Sequence, residues 1–121
     1  MVTGKYNDDY TFYKGYEGEP ELILTSEDGS IHIWDGYIGD IFGNPIKEKK
    51  EWSGFTRDYN EFVGPYDDEN IVYSINVIEY LDDAVRCREK KTEFEESSNV
   101  LEAIISWLNN HKKTDVQVRL G

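Results

Sequence analysis

The stretch IVYSINVIEYLDDAV, Ile71 to Val85, changes its period partway along, and that change decides the fold class. Through IVYSINV the apolar side chains alternate, with Ile71, Tyr73, Ile75 and Val77 on one face, the pattern of a half-buried strand. From Ile78 the spacing becomes helical. Ile78, Leu81, Ala84 and Val85 share one helical face, with Asp82 and Asp83 early and Arg86, Arg88, Lys90 and Lys91 late, an order that suits the helix dipole. A strand running on through Tyr80 is the competing reading.

Downstream, Ser97 or Ser98 can cap a second helix whose apolar stripe is Val100, Leu101, Ile104, Ile105 and Leu108, widened by Trp107. After HKKTD, the run VQVRL alternates Val116, Val118 and Leu120 with polar residues, as a closing strand does. Upstream, ELILT (21–25) and SIHIW (30–34) flank SEDG, a hairpin in which Gly29 is expected to take the left-handed position of the loop. Tyr10 to Tyr16 reads as a further strand at an edge, since Gly15 and Gly18 interrupt it. From Gly36 to Pro65 no period emerges, and loops with one strand around Trp52 to Arg57 are expected. Strands first, helices later and a strand to finish predict an α+β fold. Its sheet is mostly antiparallel, with two helices of the C-terminal half packed on one face and a closing C-terminal strand.

A chain of 121 residues with 38% hydrophobic side chains is long enough to bury one core, so residues 1–121 are expected to form a single domain. The single cysteine, Cys87, has no internal partner and fits a reducing, cytoplasmic setting. No charged and apolar leader and no apolar run of membrane-spanning length is present, so neither export by that route nor membrane insertion is expected.

The net charge of -12 is unevenly spread: residues 1–80 hold 17 acids and 6 bases, residues 81–121 hold 8 acids and 7 bases. A one-sided negative field repels phosphate backbones and anionic lipid and draws in cationic partners. Direct nucleic-acid and membrane binding are thereby disfavoured. The alternative is that acidity serves solubility alone.

Motifs for chemistry are weak. A pair of Cys87 with His32 or His111 lacks a supporting local pattern, and Cys87 reads as a packed helical side chain, His32 as a polar-face strand residue and His111 as a cation at a helix end. No Cys or His pair has zinc spacing, and Asp67, Asp68, Glu69 and Asn70 lack the alternation of a calcium loop. Asp40 with Glu48 and Lys50 matches a two-metal nuclease only loosely, and the glycines of GYIGDIFG fit no phosphate-binding loop. No cofactor and no catalytic residue is expected.

The aromatic content is more telling. Of 17 aromatic residues, 13 precede residue 70, in the region of charge excess. Phe12, Trp34, Phe42, Trp52 and Phe55 are read as core; the tyrosines in acidic runs are read as a surface, because a phenol brings rigid apolar area with a wet end. The resulting candidate partner-binding residues are Tyr10, Tyr13, Tyr16, Tyr37, Tyr59 and Tyr66 with Asp8, Asp9, Glu17, Glu19, Asp35, Asp40, Asp58, Glu61, Asp67 and Asp68.

In its acidity, its aromatic content and the runs EYLDDAVRC (79–87) and TEFEESSNVLEAIISWL (92–108), the chain resembles the immunity proteins of bacterial polymorphic-toxin and contact-dependent growth inhibition systems. The resemblance implies a cytoplasmic, non-enzymatic inhibitor that binds a cognate toxin, a basic nuclease domain, through its acidic face. Two other readings stay open: a phage-encoded nucleic-acid mimic directed at a host defence nuclease, and a small hydrolase using a carboxylate pair.

Overall fold

A computed structural model describes residues 7–43, 45, 48–61 and 71–120. Five strands, β1 (Asn7–Phe12), β2 (Glu21–Ser26), β3 (Gly29–Trp34), β4 (Ile71–Ile75) and β5 (Val116–Leu120), form one sheet in the order β1-β3-β2-β5-β4. The β2–β3, β2–β5 and β4–β5 pairs are antiparallel; β1 alone runs parallel to its neighbour, β3. Among the described residues, four α-helices accompany it: α1 (Asp35–Phe42), α2 (Gly54–Glu61), α3 (Val77–Arg86) and α4 (Ser97–Asn109). The fold is α+β, and the closing strand lies inside the sheet, between β2 and β4.

Alternation along the strands directs Leu22, Leu24, Ile31, Ile33, Val116 and Val118 into one core, where they meet Ile38, Ile41 and Phe42 of α1, Phe55 of α2, Val77, Tyr80 and Ala84 of α3 and the whole expected stripe of α4. Each such large side chain contributes about 1.5–3 kcal/mol by leaving water. The period change at residues 71–85 is realised, with Asn76 ending the strand and capping α3 through its side-chain oxygen, which accepts the Glu79 amide at 3.2 Å. Val77 belongs to the helix and not the strand, and the buried face is Val77, Tyr80 and Ala84, with Ile78 and Val85 of the expected face exposed. Among the described residues, no helix is long and apolar enough to cross a membrane.

Four local expectations are corrected. Trp52 to Arg57 forms no strand; the region from 36 to 61 contains α1 and α2 instead. α2 is started from across space: Glu79 and Asp83, one turn apart on α3, accept the amides of Gly54 (3.1 Å) and Thr56 (2.9 Å). Gly54 sits at φ +53°, and a Cβ there would stand 2.9 Å from Asp83 Cβ and 3.1 Å from Tyr80 Cα, so only glycine lets the two helices come this close. Gly29 is not the left-handed residue of the hairpin loop. It lies in β3, where a Cβ would come within 2.5 Å of the Asn7 carbonyl oxygen, and its smallness admits the parallel strand β1. The first strand ends at Phe12, and Tyr13 and Lys14 instead turn back, their amides bonded to the Tyr10 carbonyl. Ser97 does not cap α4 through its own first turn; its buried hydroxyl donates to Asp40 at 2.6 Å.

Candidate functional site

Three segments far apart in sequence meet at one corner of the molecule. β3 ends at Trp34, α1 brings Tyr37 in its first turn, the β1–β2 loop supplies Tyr16, and the α3–α4 loop supplies Phe94. Tyr16 lies flat on Trp34, ring centroids 3.9 Å apart at 5°. Tyr37 meets the Trp34 ring edge-on at 5.2 Å, and Phe94 packs against both, 5.6 Å from Trp34 and 6.0 Å from Tyr37. The cluster is not sealed: Phe94 is 43% exposed, and the other three rings are partly exposed. Trp34 Nε1 donates to Glu19 at 3.2 Å. Burial, and then the neighbouring Tyr16 hydroxyl, pushes the Tyr37 phenol up to about 12, so it stays protonated at neutral pH.

Asp40 holds the Phe94 loop in place. Its carboxylate accepts the amides of Glu93 (2.8 and 3.0 Å) and Phe94 (2.8 Å) as well as the Ser97 hydroxyl. Partial burial works to raise this carboxyl, but those donors, helped by the Lys90 charge, outweigh it and hold the group below the usual carboxylate range. A groove of about 510 Å³ runs alongside, lined by Gly36, Gly39, Asp40, Lys90, Lys91, Glu93 and Phe94. Lys90 is committed there: its ammonium donates to the carbonyls of Ile41 (3.1 Å) and Gly43 at the C-terminus of α1.

The expected binding residues divide into groups. Asp8, Tyr10, Glu17, Glu19 and Glu61 are exposed, and Asp9, Tyr16, Asp35, Tyr37, Asp40 and Tyr59 are partly exposed. Tyr16, Glu19 and Tyr37 come together at the aromatic corner. Asp8, Asp9 and Tyr10 lie on β1, an edge strand, where Tyr10 stacks on His32 at 4.0 Å and not on the corner rings. Two residues are interior and are corrected. Tyr13 is 8% exposed, and its hydroxyl donates to the Glu19 carbonyl (2.6 Å) and accepts from the Gly18 amide (3.2 Å), tying the loop shut. Asp58 is 5% exposed and accepts from Tyr73 (2.7 Å), Tyr80 and Arg57 (3.1 Å), a structural junction of α2, α3 and β4. Asp35 has a buried carboxylate oxygen without a hydrogen-bond partner among the described residues, and burial raises its carboxyl. Tyr66, Asp67 and Asp68 lie outside the described residues.

Phe94 and its acidic neighbours Glu93, Glu95 and Glu96 were missed as interface candidates, and Trp34 was assigned to the core. Charge summed over the last third of the chain hides a local FEE run, and only the fold shows that this run abuts the first third. Of the other rings read as core, Phe42 and Phe55 are buried; Phe12 and Trp52 are partly exposed.

One arrangement superficially has catalytic order. Ser30 Oγ is 3.1 Å from His32 Nε2, and His32 Nδ1 is 2.5 Å from Glu21. The hydroxyl, however, donates to Asp8 and is 3% exposed, and β3 is flanked on both sides by strands that take its amides, so neither a free nucleophile nor an oxyanion site is formed. His32 lies on the expected face of β3 but is buried there, linking β1, β2 and β3. His111, past the end of α4, joins Trp107 O (2.6 Å) to Asp28 of the β2–β3 turn (2.9 Å). The Cys87 thiol, packed beside Thr56, is pushed up to about 11 by burial and then by Asp83, the opposite of an activated nucleophile. Among the described residues, no three His, Cys, Asp or Glu side chains converge as a metal site would require.

Comparison of the chain with protein-family models, with curated proteins and with solved structures gives no match.

Proposed function

We propose that this protein is an immunity protein, a stoichiometric cytoplasmic inhibitor that binds a cognate toxin domain with a basic, nuclease-type surface. The observation that carries the reading is the surface cluster Tyr16–Trp34–Tyr37–Phe94 with Glu19 on the indole and Glu93, Glu95 and Glu96 in the adjoining loop. Aromatic side chains at a surface bring large, rigid contact area, and surrounding carboxylates steer and pair with lysine and arginine opposite. A nuclease cleft built to hold phosphate offers that chemistry, and an acidic face can occupy it in place of the nucleic acid. Asp8 and the partly exposed Asp9 of β1 add negative charge at the sheet edge.

The test is to identify the protein that binds the full chain one to one in its native host and to express that partner in other cells with and without the chain. Protection from killing, with a one-to-one complex recovered from the protected cells, is expected. Association should slow markedly between about 20 mM and about 500 mM salt, because screening shortens the reach of the field. Killing that proceeds equally in both strains removes the proposal.

A further inference from the structure

The aromatic corner has an ordered geometry that specifies more than a sticky surface. Phe94 is fixed from behind by the Asp40 bonds to its own amide and to that of Glu93, so its exposed ring is held in position before any partner arrives. Tyr16 is laid flat against one face of Trp34 and the Gly36 backbone closes the other, so Trp34 backs the partly exposed Tyr16 ring, which is the second platform. Acids stand at the rim: Glu19 accepts from the Trp34 indole at 3.2 Å, and the exposed Glu93 and Glu95 flank Phe94 in the chain.

Platforms of this kind with acids at the rim match one side chain best. A guanidinium is planar, weakly hydrated and able to stack on a ring while its edge N–H groups reach carboxylates; an ammonium is compact and strongly hydrated, and gives up more water to lie on a ring. An anionic ligand is repelled by the rim, and a divalent ion lacks three convergent ligands among the described residues. Lys91, exposed on the groove side of Phe94, excludes a cation there and places the seat on the side of Trp34 and Glu19.

We propose that Tyr16, Trp34, Tyr37 and Phe94, with Glu19, form a seat for an arginine side chain of the protein partner. The guanidinium stacks on the exposed rings and donates to the Glu19 carboxylate. This rests on the reading of the corner as a partner-binding face and adds the chemistry it selects.

Amide NMR on the full chain tests it with three blocked amino acids as probes, N-acetyl-arginine, N-acetyl-lysine and N-acetyl-norleucine methylamides, at fixed pH and ionic strength. The arginine probe is expected to move the Trp34 indole and Phe94 amide resonances saturably and to bind about two- to fivefold tighter than the lysine probe, the range that stacking on an exposed ring supplies. The norleucine probe should leave them in place. Phe94→Leu keeps the apolar bulk and removes the ring face, and it should reduce arginine binding to the lysine level while the chain stays folded, its amide spectrum changed only around the corner. The proposal is overturned if arginine and lysine act alike with shifts scattered over all the acids, if no probe moves the corner, or if Phe94→Leu binds arginine as the parent does. Because the isolated chain is probed, these failures leave a captured toxin standing with another contact chemistry, and a failed protection assay leaves the seat itself unaffected.

Discussion

The Asp40 carboxylate receives the Phe94 backbone amide at 2.8 Å across 54 residues of chain, so a helix next to the sheet sets the position of a ring on the surface. Asp40→Asn keeps one acceptor and exchanges the other for a donor, which breaks part of the set of bonds to Glu93, Phe94 and Ser97. After allowing for solvent screening of a partly exposed group, the loss is about 1–2 kcal/mol. The cost should depend on pH. The folded carboxyl titrates below its unfolded value, so its contribution is complete above the ordinary carboxylate range and disappears as pH falls through the lowered folded value. Urea melts of parent and variant should differ at pH 7 and converge in acid; a gap independent of pH would mean that the charge of Asp40 plays no part.

Gly54→Ala tests how α2 is docked. The new methyl meets the Asp83 Cβ and the Tyr80 backbone, and the residue must also hold φ +53°. Together these should cost about 1–3 kcal/mol, read as a lower denaturant midpoint at unchanged m-value. An unchanged midpoint would show that α2 can slide on α3 without loss.

The same pair of helices explains where reading from sequence succeeds and where it stops. β2, β3, β4, β5, α3 and α4 carry their signals within their own residues: alternation in Ile71 to Ile75, acids early and bases late along α3, a stripe from Val100 to Leu108. α1 and α2 are eight residues each, too short to display a period, and α1 contains two glycines that lower helix propensity. Their order comes from remote partners, Lys90 at the end of α1 and the Glu79–Asp83 pair at the start of α2, which no local pattern announces. The candidate site follows the same logic. Tyr16, Tyr37 and Glu19 were visible as an aromatic and acidic mixture, whereas Phe94 joins them only through the fold, and Tyr13 and Asp58 leave the surface because their polar atoms find internal partners.

Cys87 should be slow to react. With the folded thiol at about 11, on the order of 0.1% is thiolate at pH 8, against about a quarter in an unfolded chain. Labelling with a thiol-disulfide reagent at pH 8 is expected to be at least about tenfold slower in the native protein than in denaturant. Since the unfolded thiol ionises first, this group also makes the native state less stable as pH rises above its unfolded value towards 11. Equal labelling rates would place the sulfur in an open, polar setting.

The acids of the first half divide into structural and surface members, and replacement separates them. Asp58 is the acceptor shared by Tyr73, Tyr80 and Arg57, and Arg57 also pairs with Glu79 at 2.8 Å. Burial raises the Tyr80 phenol, and the Asp58 carboxylate raises it further, so the hydroxyl stays a donor. Asp58→Ala leaves these donors facing a buried gap and should cost about 3–5 kcal/mol, enough to unfold a large share of a marginal domain. Glu17→Lys and Glu19→Lys lie on the exposed loop, where each loses one solvent-exposed acceptor, for Gly15 and for Trp34, and should lower the melting temperature only slightly while slowing association with a cationic partner at low salt. A loss of stability in the loop variants matching that of Asp58→Ala would mean that the surface acids hold the fold together, and the division drawn between them and Asp58 would fail.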